Sequence, residues 1–450
     1  MHHLPTRGTG TGAVLTALGF ALLVGCGRSD HLGFAEGADA MGATDQDGGP
    51  TAPNFAGLDG AADAKARPPV VGWLKGKVVA PEGTVPISNA LVYLTSRDAE
   101  VIPAGVFCDT CVHLSALEPY AYTKSDGSFE LGAYAVGMQH LVVQKGQFRR
   151  IRNMNVSTGD QAVPADFTRL PGKTNASAGD TIPKIGMVNG GYDHIDFTLQ
   201  KLGIEEFFRY GDGPVTIGAT PPGIKTGKTA YDLIQNATEL GLYHIALMPC
   251  ASLGYQMTDN GNVCGTPIAP VQAALKSYVD VGGKLYVTDY AYETVRQTWP
   301  GFVTFYDYTM QPLVKQSAGL GTACRAGSET TSGTAQDPGL ADWMKTIGET
   351  NISLQASWTR IQKVTPQPGF DGMGKAVTIT PKVWMTSSIA GAELPATVSF
   401  EQKCGRVLFS TYHCEGDNSS KLLAQEKALL YVLLEVGVCV GELPPPPPPR

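Results

Sequence analysis

Residues 278–289 read Tyr-Val-Asp-Val-Gly-Gly-Lys-Leu-Tyr-Val-Thr-Asp, and this stretch decides the predicted fold. It continues a helical period in which Val271, Leu275 and Val279 lie on one face. Two glycines then allow a tight turn, and the residues after them form an apolar strand run. A helix that leads directly into a buried strand is typical of α/β proteins, in which helices cover a parallel sheet.

The same alternation continues on both sides and predicts an α/β domain over residues 181–440. Strand runs cover residues 185–189, 243–249 and 406–412, and helical periods cover residues 195–202, 228–240 and 421–436. Alternating strands and helices predict a parallel sheet with helices on both faces. Residues 300–400 fit this pattern poorly and indicate insertions.

Residues 70–171 have a different pattern, with short runs rich in Val, Leu, Tyr and Phe and no competing helical period. The predicted strands cover residues 73–79, 90–95, 120–124, 128–131 and 138–144. Asp126-Gly127 separates the third run from the fourth, and this dipeptide favours a tight hairpin turn. The pattern predicts an antiparallel β-sandwich ahead of the α/β domain.

The β region resembles the carboxypeptidase regulatory-like (transthyretin-like, carbohydrate-binding-like) domain. The resemblance rests on Gly76-Lys77-Val78-Val79, Asn89-Ala90-Leu91-Val92-Tyr93-Leu94 and Thr123-Lys124-Ser125-Asp126-Gly127-Ser128-Phe129. These motifs are strands and a turn. The resemblance therefore implies a fold and no chemistry.

Residues 278–289 and 405–413 resemble the class I glutamine amidotransferase-like (flavodoxin-like) superfamily. That resemblance implies a cysteine nucleophile on a strand-to-helix elbow and a His-x-Glu motif that supplies the base. His413-Cys414-Glu415 matches the second part. The elbow position holds Asp289-Tyr290-Ala291-Tyr292, which contains neither cysteine nor glycine. The resemblance thus implies a domain that lacks the family's nucleophile. The order of the two domains also resembles large bacterial lipoproteins.

The first residues predict export and lipidation. Arg7 precedes a run, residues 13–24, that is apolar apart from Thr16 and too short to span a bilayer comfortably. Leu23-Val24-Gly25-Cys26 looks like a lipobox, which predicts a signal peptide over residues 1–25 and acylation of Cys26 by chains such as palmitate. Gly27 follows the cysteine, and by family resemblance this favours the outer membrane. An ordinary signal peptide with a chance cysteine is the alternative.

Composition indicates which partners the chain could bind and how its remaining segments behave. The 450 residues carry a formal net charge of −7, with 43% hydrophobic and 17% charged residues, and nothing suggests nucleic-acid binding. Residues 26–69 are rich in Gly, Ala and Asp and predict a disordered tether. The Pro-rich tail, residues 441–450, is either a stiff exposed end or a docking peptide.

Nine cysteines are present, and eight remain when Cys26 is set aside. An even number in an exported chain predicts disulfides. Cys108 and Cys111 flank a short loop and are expected to pair. Cys404 and Cys439 are expected to pair because a strand out and a helix back return the chain to one edge. The other four, Cys250, Cys264, Cys324 and Cys414, are expected to form two pairs that the sequence does not assign.

Two charged clusters have plain explanations. Asp193-His194-x-Asp196 contains metal-binding residue types, but acids suit a helix start, so no metal or cofactor is predicted. Residues 144–152 hold Lys145, Arg149, Arg150 and Arg152. They indicate a charged edge strand that blocks pairing or, alternatively, a contact with the second domain, acidic glycans or lipid headgroups.

The sequence favours a membrane-anchored binding or structural protein. In open α/β sheets ligands lie beyond the carboxyl ends of the strands. The residues expected there are Gly190, Gly191, Asp289, Tyr290 and His413. Tyrosine suits a glycan, a peptide or another envelope protein as partner. The alternative is an exported hydrolase or amidotransferase that uses Asp289, His413, Glu415 and Cys250.

Overall fold

The computed structural model describes a defined part of the chain, which belongs to one compact unit, Lys65–Arg450. The described residues are 68–115, 117–189, 192–211, 228–250, 269–306, 310–312, 329–414 and 421–436. Several predicted features lie outside them: the signal peptide with Cys26, most of the tether, the tail, Gly190, Gly191, Cys264, Cys324, Glu415 and Cys439. The described chain consists of mixed sheets in which strands dominate and helices are few.

The first region, up to residue 181, forms two sheets. Its elements are β1 Gly72–Lys77, β2 Leu91–Thr95, β3 Tyr120–Tyr122, β4 Ser128–Ala133, β5 Gly137–Lys145, β6 Phe148–Val156, β7 Gly159–Ala162, the short helix α1 Ala165–Thr168 and β8 Asp180–Thr181. The sheets have the orders β4-β1-β7 and β3-β2-β5-β6-β8. Leu74 and Leu131 of the smaller sheet share one core with Val92 and Leu141 of the larger. The β1–β7 pair is parallel, so the expectation of a purely antiparallel region is wrong there.

The predicted Asp-Gly turn exists, but it does not close a hairpin. Lys124 N donates to Ser128 O at 2.9 Å, and Gly127 has a φ of +79°. However, β3 pairs with β2 and β4 pairs with β1, so the turn joins two different sheets. A tight turn reverses the chain locally, whereas the partner of each strand depends on packing elsewhere.

The second region contains one nine-stranded sheet and two small ribbons. Its strands are β9 Ile185–Val188, β10 Phe208–Tyr210, β11 Ile245–Met248, β12 Lys284–Thr288, β13 Val303–Phe305, β14 Glu329–Ala335, β15 Ile352–Ser357, β16 Ile361–Val364, β17 Gln367–Phe370, β18 Ala376–Ile379, β19 Lys382–Ile389, β20 Ala392–Gln402 and β21 Gly405–Ser410. The sheet order is β10-β9-β11-β12-β21-β20-β19-β14-β15. The first five strands are parallel, as predicted. The other four are antiparallel, so the sheet is mixed. Most of this antiparallel extension comes from the region that the pattern marked as insertions.

Helices cover both faces of the parallel half. They are α2 Ile195–Lys201, α3 Ala230–Ile234, α4 Ala237–Leu240, α5 Ala269–Asp280, α6 Glu293–Thr298, α7 Pro338–Thr346 and α8 Ala424–Val436. Successive residues of β12 enter opposite cores: Leu285 and Val287 pack with α3 to α6, and Tyr286 packs with α2, α7 and α8. The helix expected over residues 228–240 is two short helices, because Asn236 caps the second. No helix within the described ranges has the length and apolarity of a membrane span.

The two regions share a core. The face covered by α2, α7 and α8 also packs against the sheets of the first region. Trp343 on α7 is fully buried there, and its indole Nε1 donates to Pro86 O at 2.9 Å. Lys145 at the end of β5 lies 2.5 Å from Glu435 of α8. Hydrophobic packing and polar contacts therefore both join the first region to the second.

The basic cluster lies inside its sheet. The expectation of an edge strand is wrong, because β6 pairs with both β5 and β8. Arg150 makes two hydrogen bonds of 2.9 Å to the carboxylate of Asp180, and Arg149 donates to Glu100 O. Of the alternatives, the contact of Lys145 with α8 is a contact with the second region. Arg150 and Arg152 are therefore paired with a carboxylate of the same sheet.

A bridging loop, residues 96–115, lies against the amino-terminal ends of the parallel strands. His244 Nε2 donates to Pro103 O at 2.8 Å, and Lys284 Nζ lies 3.2 Å from Asp109 Oδ2. Burial lowers the pKa of Lys284 to about 8, although the charge of Asp109 acts in the opposite direction. Gly282 has a φ of +119° and contacts Phe107 O so closely that a side chain would not fit.

The disulfide that closes this arrangement joins Cys108 of the bridging loop to Cys404 in the turn between β20 and β21. The expected pairs Cys108–Cys111 and Cys404–Cys439 are therefore both wrong. Cys111 is disulfide-bonded as well. Cys250 and Cys414 are thiols in the structure, so their expected pairing is also wrong. The pairing of Cys108 with Cys404 depends on where the bridging loop lies in the fold. A local sequence pattern does not predict that position.

Candidate functional site

The carboxyl ends of the parallel strands meet at one edge of the sheet, and polar residues collect there. Asp193 follows β9, Cys250 follows β11, Asp289 follows β12 and His413 follows β21. All four side chains are buried. Parallel pairing explains the convergence, because it places equivalent ends of neighbouring strands side by side.

Asp193 ties these strand ends together. Its Oδ2 accepts a 2.6 Å hydrogen bond from Thr288 Oγ1, and both its carboxylate oxygens lie 3.1 Å from Cys414 N. Its own N–H donates to Cys250 O at 3.1 Å. Asp196, the other acid of the Asp193-His194-x-Asp196 cluster, accepts a hydrogen bond of 2.6 Å from Arg209. The two carboxylates therefore have separate partners. Asp193 connects the ends of neighbouring strands through its hydrogen bonds to Thr288, Cys414 and Cys250.

The centre of the site is formed by Cys250, Asp289 and His413. The Cys250 Sγ, a carboxylate oxygen of Asp289 and a ring nitrogen of His413 all lie within 4.8 Å of one another. Asp289 Oδ2 is 3.4 Å from His413 Nε2. Three residues of the alternative catalytic set are thus brought together, and the fourth, Glu415, lies outside the described residues.

Asp289 occupies an elbow in the backbone. Its φ is +42°, a left-handed value that a residue other than glycine rarely adopts, and a 3₁₀ turn and α6 follow it. Asp289 Oδ1 accepts hydrogen bonds from Thr359 N at 2.8 Å and Trp358 N at 3.2 Å. Burial raises the pKa of Asp289 to about 6, although His413 and Thr359 act in the opposite direction.

Trp358 and Thr359 come from the loop between β15 and β16, and the sequence did not indicate them. They follow an antiparallel strand inside the poorly fitting region, where no helix and strand alternation marks the carboxyl end of a parallel strand. The only local signal is their place directly after β15. The antiparallel extension therefore supplies part of the site.

Three buried polar atoms of this site have no hydrogen-bond partner within the described part of the chain. They are Asp289 Oδ2, Thr359 Oγ1 and Trp358 Nε1. Buried polar atoms are normally paired, since an unpaired one costs roughly 1–3 kcal/mol. Their presence together indicates a place where a polar ligand or an ion would be stabilised.

Aromatic side chains lie beside these atoms and form what we call the rim: Tyr192, Tyr290 and Trp358. The Tyr290 and Trp358 ring centroids are 5.3 Å apart with an interplanar angle of 58°. Tyr192 is 60% exposed, and its N–H is 3.4 Å from Cys250 O. Of the residues expected to bind a ligand, Asp289, Tyr290 and His413 lie at this edge, whereas Gly190 and Gly191 are not described.

The thiol of Cys250 is not activated in this arrangement. It is 1% exposed, and burial raises its pKa well above the ordinary value. The charges of Asp289 and Asp193 raise the pKa further, while the Tyr290 N–H acts in the opposite direction. Because the thiolate is the nucleophilic form of cysteine, burial that raises the pKa in this way makes Cys250 a poor nucleophile.

No family model matches the sequence, and no curated protein is similar to it. Similar solved structures include a cytoplasmic protein from Salmonella typhimurium, with a TM-score of 0.32, 11% identity and coverage of 56% of this chain and 97% of that chain. A ThuA-like protein from Bacteroides uniformis has a TM-score of 0.31 and 12% identity, with 56% and 91% covered. Another from Parabacteroides merdae has a TM-score of 0.28 and 10% identity, with 58% and 92% covered. These structural neighbours include proteins of the class I glutamine amidotransferase-like fold. With TM-scores of this size, function has to be argued from the site itself.

Proposed function

We propose that this chain is a membrane-anchored envelope lipoprotein that binds a glycan or a peptide at the carboxyl ends of its parallel strands, without catalysis. The observation that carries the proposal is the group of buried, unpartnered polar atoms beside the aromatic rim. In this proposal the first region is a carboxypeptidase regulatory-like sandwich, and the second is a flavodoxin-like domain whose ancestral nucleophile is absent.

The rim suits such ligands for a physical reason. Flat aromatic side chains cover the apolar face of a sugar ring or a peptide side chain at a small entropic cost. Hydrogen-bonding atoms beside them, namely Thr359 Oγ1 and Trp358 Nε1, would fix the orientation of the ligand. Catalysis would need an activated nucleophile, and burial keeps the Cys250 thiol protonated.

The membrane anchor is tested at Cys26. Replacing Cys26 with Ser should move the protein from the membrane fraction to the soluble envelope fraction, because the acyl chains that would hold it are lost. Fractionation and mass spectrometry of the mature amino terminus measure this. A matched control is Cys250→Ser, which leaves the lipobox unchanged. Unaltered fractionation of Cys26→Ser, with no added acyl mass on the wild-type terminus, would contradict the anchor.

The binding site is tested at the rim. An oligosaccharide array and a peptide library are screened, and calorimetry measures the binding of any hit to wild type and variants. Trp358→Ala should weaken binding about tenfold or more, which corresponds to about 1.4 kcal/mol. Phe370→Ala is the control, because Phe370 is exposed on β17, outside the site. Equal affinities of wild type and Trp358→Ala for every hit would place the ligand elsewhere.

A carboxylate-driven hydrolase is the second candidate, and the elbow favours it. Asp289 has the left-handed backbone of a nucleophile elbow, two N–H groups hold its Oδ1, and its Oδ2 lies 3.4 Å from His413. An ester, amide and glycoside panel with wild type and Asp289→Asn decides between the candidates. Turnover that disappears in Asp289→Asn would defeat the binding proposal, and a flat panel would support it.

A further inference from the structure

Cys250, Asp289 and His413 present one sulfur, one oxygen and one nitrogen donor to a common point. The three donor atoms lie within 4.8 Å of one another, and all three residues are buried. We propose that these residues form a binding site for Zn²⁺. This inference goes beyond the proposed function and depends neither on the identity of the glycan or peptide nor on the membrane anchor.

The donor set suits zinc. Zn²⁺ binds cysteine sulfur, histidine nitrogen and aspartate oxygen in tetrahedral sites, whereas Ca²⁺ and Mg²⁺ prefer oxygen donors only. A mixed sulfur, nitrogen and oxygen set therefore favours a borderline-soft ion. Three protein ligands leave the fourth position to water or to a donor atom of a ligand.

The geometry fits a shared ion better than a direct hydrogen bond. Zinc ligands at about 2.0–2.3 Å from the metal, at tetrahedral angles, lie roughly 3.3–3.6 Å from one another. Asp289 Oδ2 and His413 Nε2 are 3.4 Å apart, within that range and longer than an ordinary N–H···O bond. The Cys250 sulfur lies within 4.8 Å of both of these donor atoms.

The surroundings hold the donors in place. Thr359 N and Trp358 N fix Asp289 Oδ1, so Oδ2 is oriented towards His413. The side chain of Gln425 donates to His413 O at 2.9 Å. Hydrogen bonds that orient a coordinating side chain, such as those to Asp289 Oδ1, raise the affinity of a metal site. All three donors follow strands of the rigid parallel sheet, which limits their movement.

Charge also favours a cation. Asp289 Oδ2 is a buried carboxylate oxygen that lies 3.4 Å from His413 Nε2 without an ordinary hydrogen bond, and a cation shared with His413 would compensate its charge. On binding, the Cys250 S–H bond breaks, the sulfur binds zinc as a thiolate and the proton goes to solvent. Asp193 is not a ligand in this proposal, because Thr288 and Cys414 N occupy its oxygens.

The test uses the full mature chain, stripped with a chelator and titrated with Co²⁺ as a spectroscopic substitute for Zn²⁺. We expect one equivalent of Co²⁺ to bind, with a thiolate-to-cobalt charge-transfer band, and Zn²⁺ to displace it. Cys250→Ser should abolish the band and weaken Zn²⁺ binding at least about 100-fold. His413→Gln should keep the band but weaken binding to a similar extent.

Cys414→Ser is the matched control, because Cys414 is a second buried thiol, adjacent to His413, that is not in the donor set. It should bind both metals as wild type does. Circular dichroism checks the fold of each variant, and if Cys250→Ser does not fold, His413→Gln and Asp289→Asn decide. A charge-transfer band that survives in Cys250→Ser, or wild type that takes up no Co²⁺, would overturn the proposal. Neither result bears on binding of a glycan or peptide at the rim.

Discussion

Trp343→Ala should lower the free energy of unfolding by roughly 3–5 kcal/mol, the range for removing a fully buried large aromatic side chain. Trp343 is 1% exposed in the core shared by the two regions. Its loss would leave a cavity beside Tyr431, whose ring centroid lies 5.2 Å away. It would also leave Pro86 O without the indole donor. Urea unfolding followed by circular dichroism measures the change.

Trp343→Phe separates the two contributions. It keeps most of the aromatic volume and removes only the hydrogen bond and part of the ring, so the expected loss is about 1–2 kcal/mol. If Trp343→Ala and Trp343→Phe lose the same free energy, packing is not the main contribution. A loss below 1 kcal/mol in Trp343→Ala would contradict the shared core.

The second large effect concerns the disulfide of the bridging loop. Replacing both Cys108 and Cys404 with Ser should lower the free energy of unfolding by roughly 2–5 kcal/mol. The bond joins residues 296 positions apart, and such a long closure restricts the unfolded chain strongly in the chain-entropy account. Non-reducing urea unfolding of wild type and the double variant measures this.

Non-covalent contacts of the bridging loop remain in that variant. His244 still donates to Pro103 O, and Lys284 still faces Asp109, so the fold itself should survive. Cys414→Ser is the control, because it removes a buried thiol that is not in a disulfide. Unfolding curves of wild type and the double variant that coincide would show that the bond contributes no stability.

Some residues of the candidate site could be predicted from local sequence patterns, and others are placed only by contacts between distant parts of the chain. Parallel strands end at one edge, so the sequence was sufficient to expect Asp289, Tyr290 and His413 at neighbouring strand ends. It did not indicate Trp358 and Thr359, because they follow an antiparallel strand. It also assigned Asp193 to a helix start, since the hydrogen bonds to Thr288 and Cys414 depend on strands far away in the chain. The sequence led to the expectation of no metal because Cys250, Asp289 and His413 are far apart in the chain, and the zinc proposal rests on their proximity in the fold.

The sequence by itself determined the elements whose cause is local. Residues 278–289 are a helix end, a glycine turn and a buried strand because side-chain periodicity and the freedom of glycine act within a few residues. Only the tertiary structure decided the pairing of Cys108 with Cys404, the separation of β3 and β4 into two sheets and the antiparallel half of the large sheet. Each depends on contacts between residues distant in sequence, whose free energy comes from burial and strand pairing and leaves no periodic pattern in the chain.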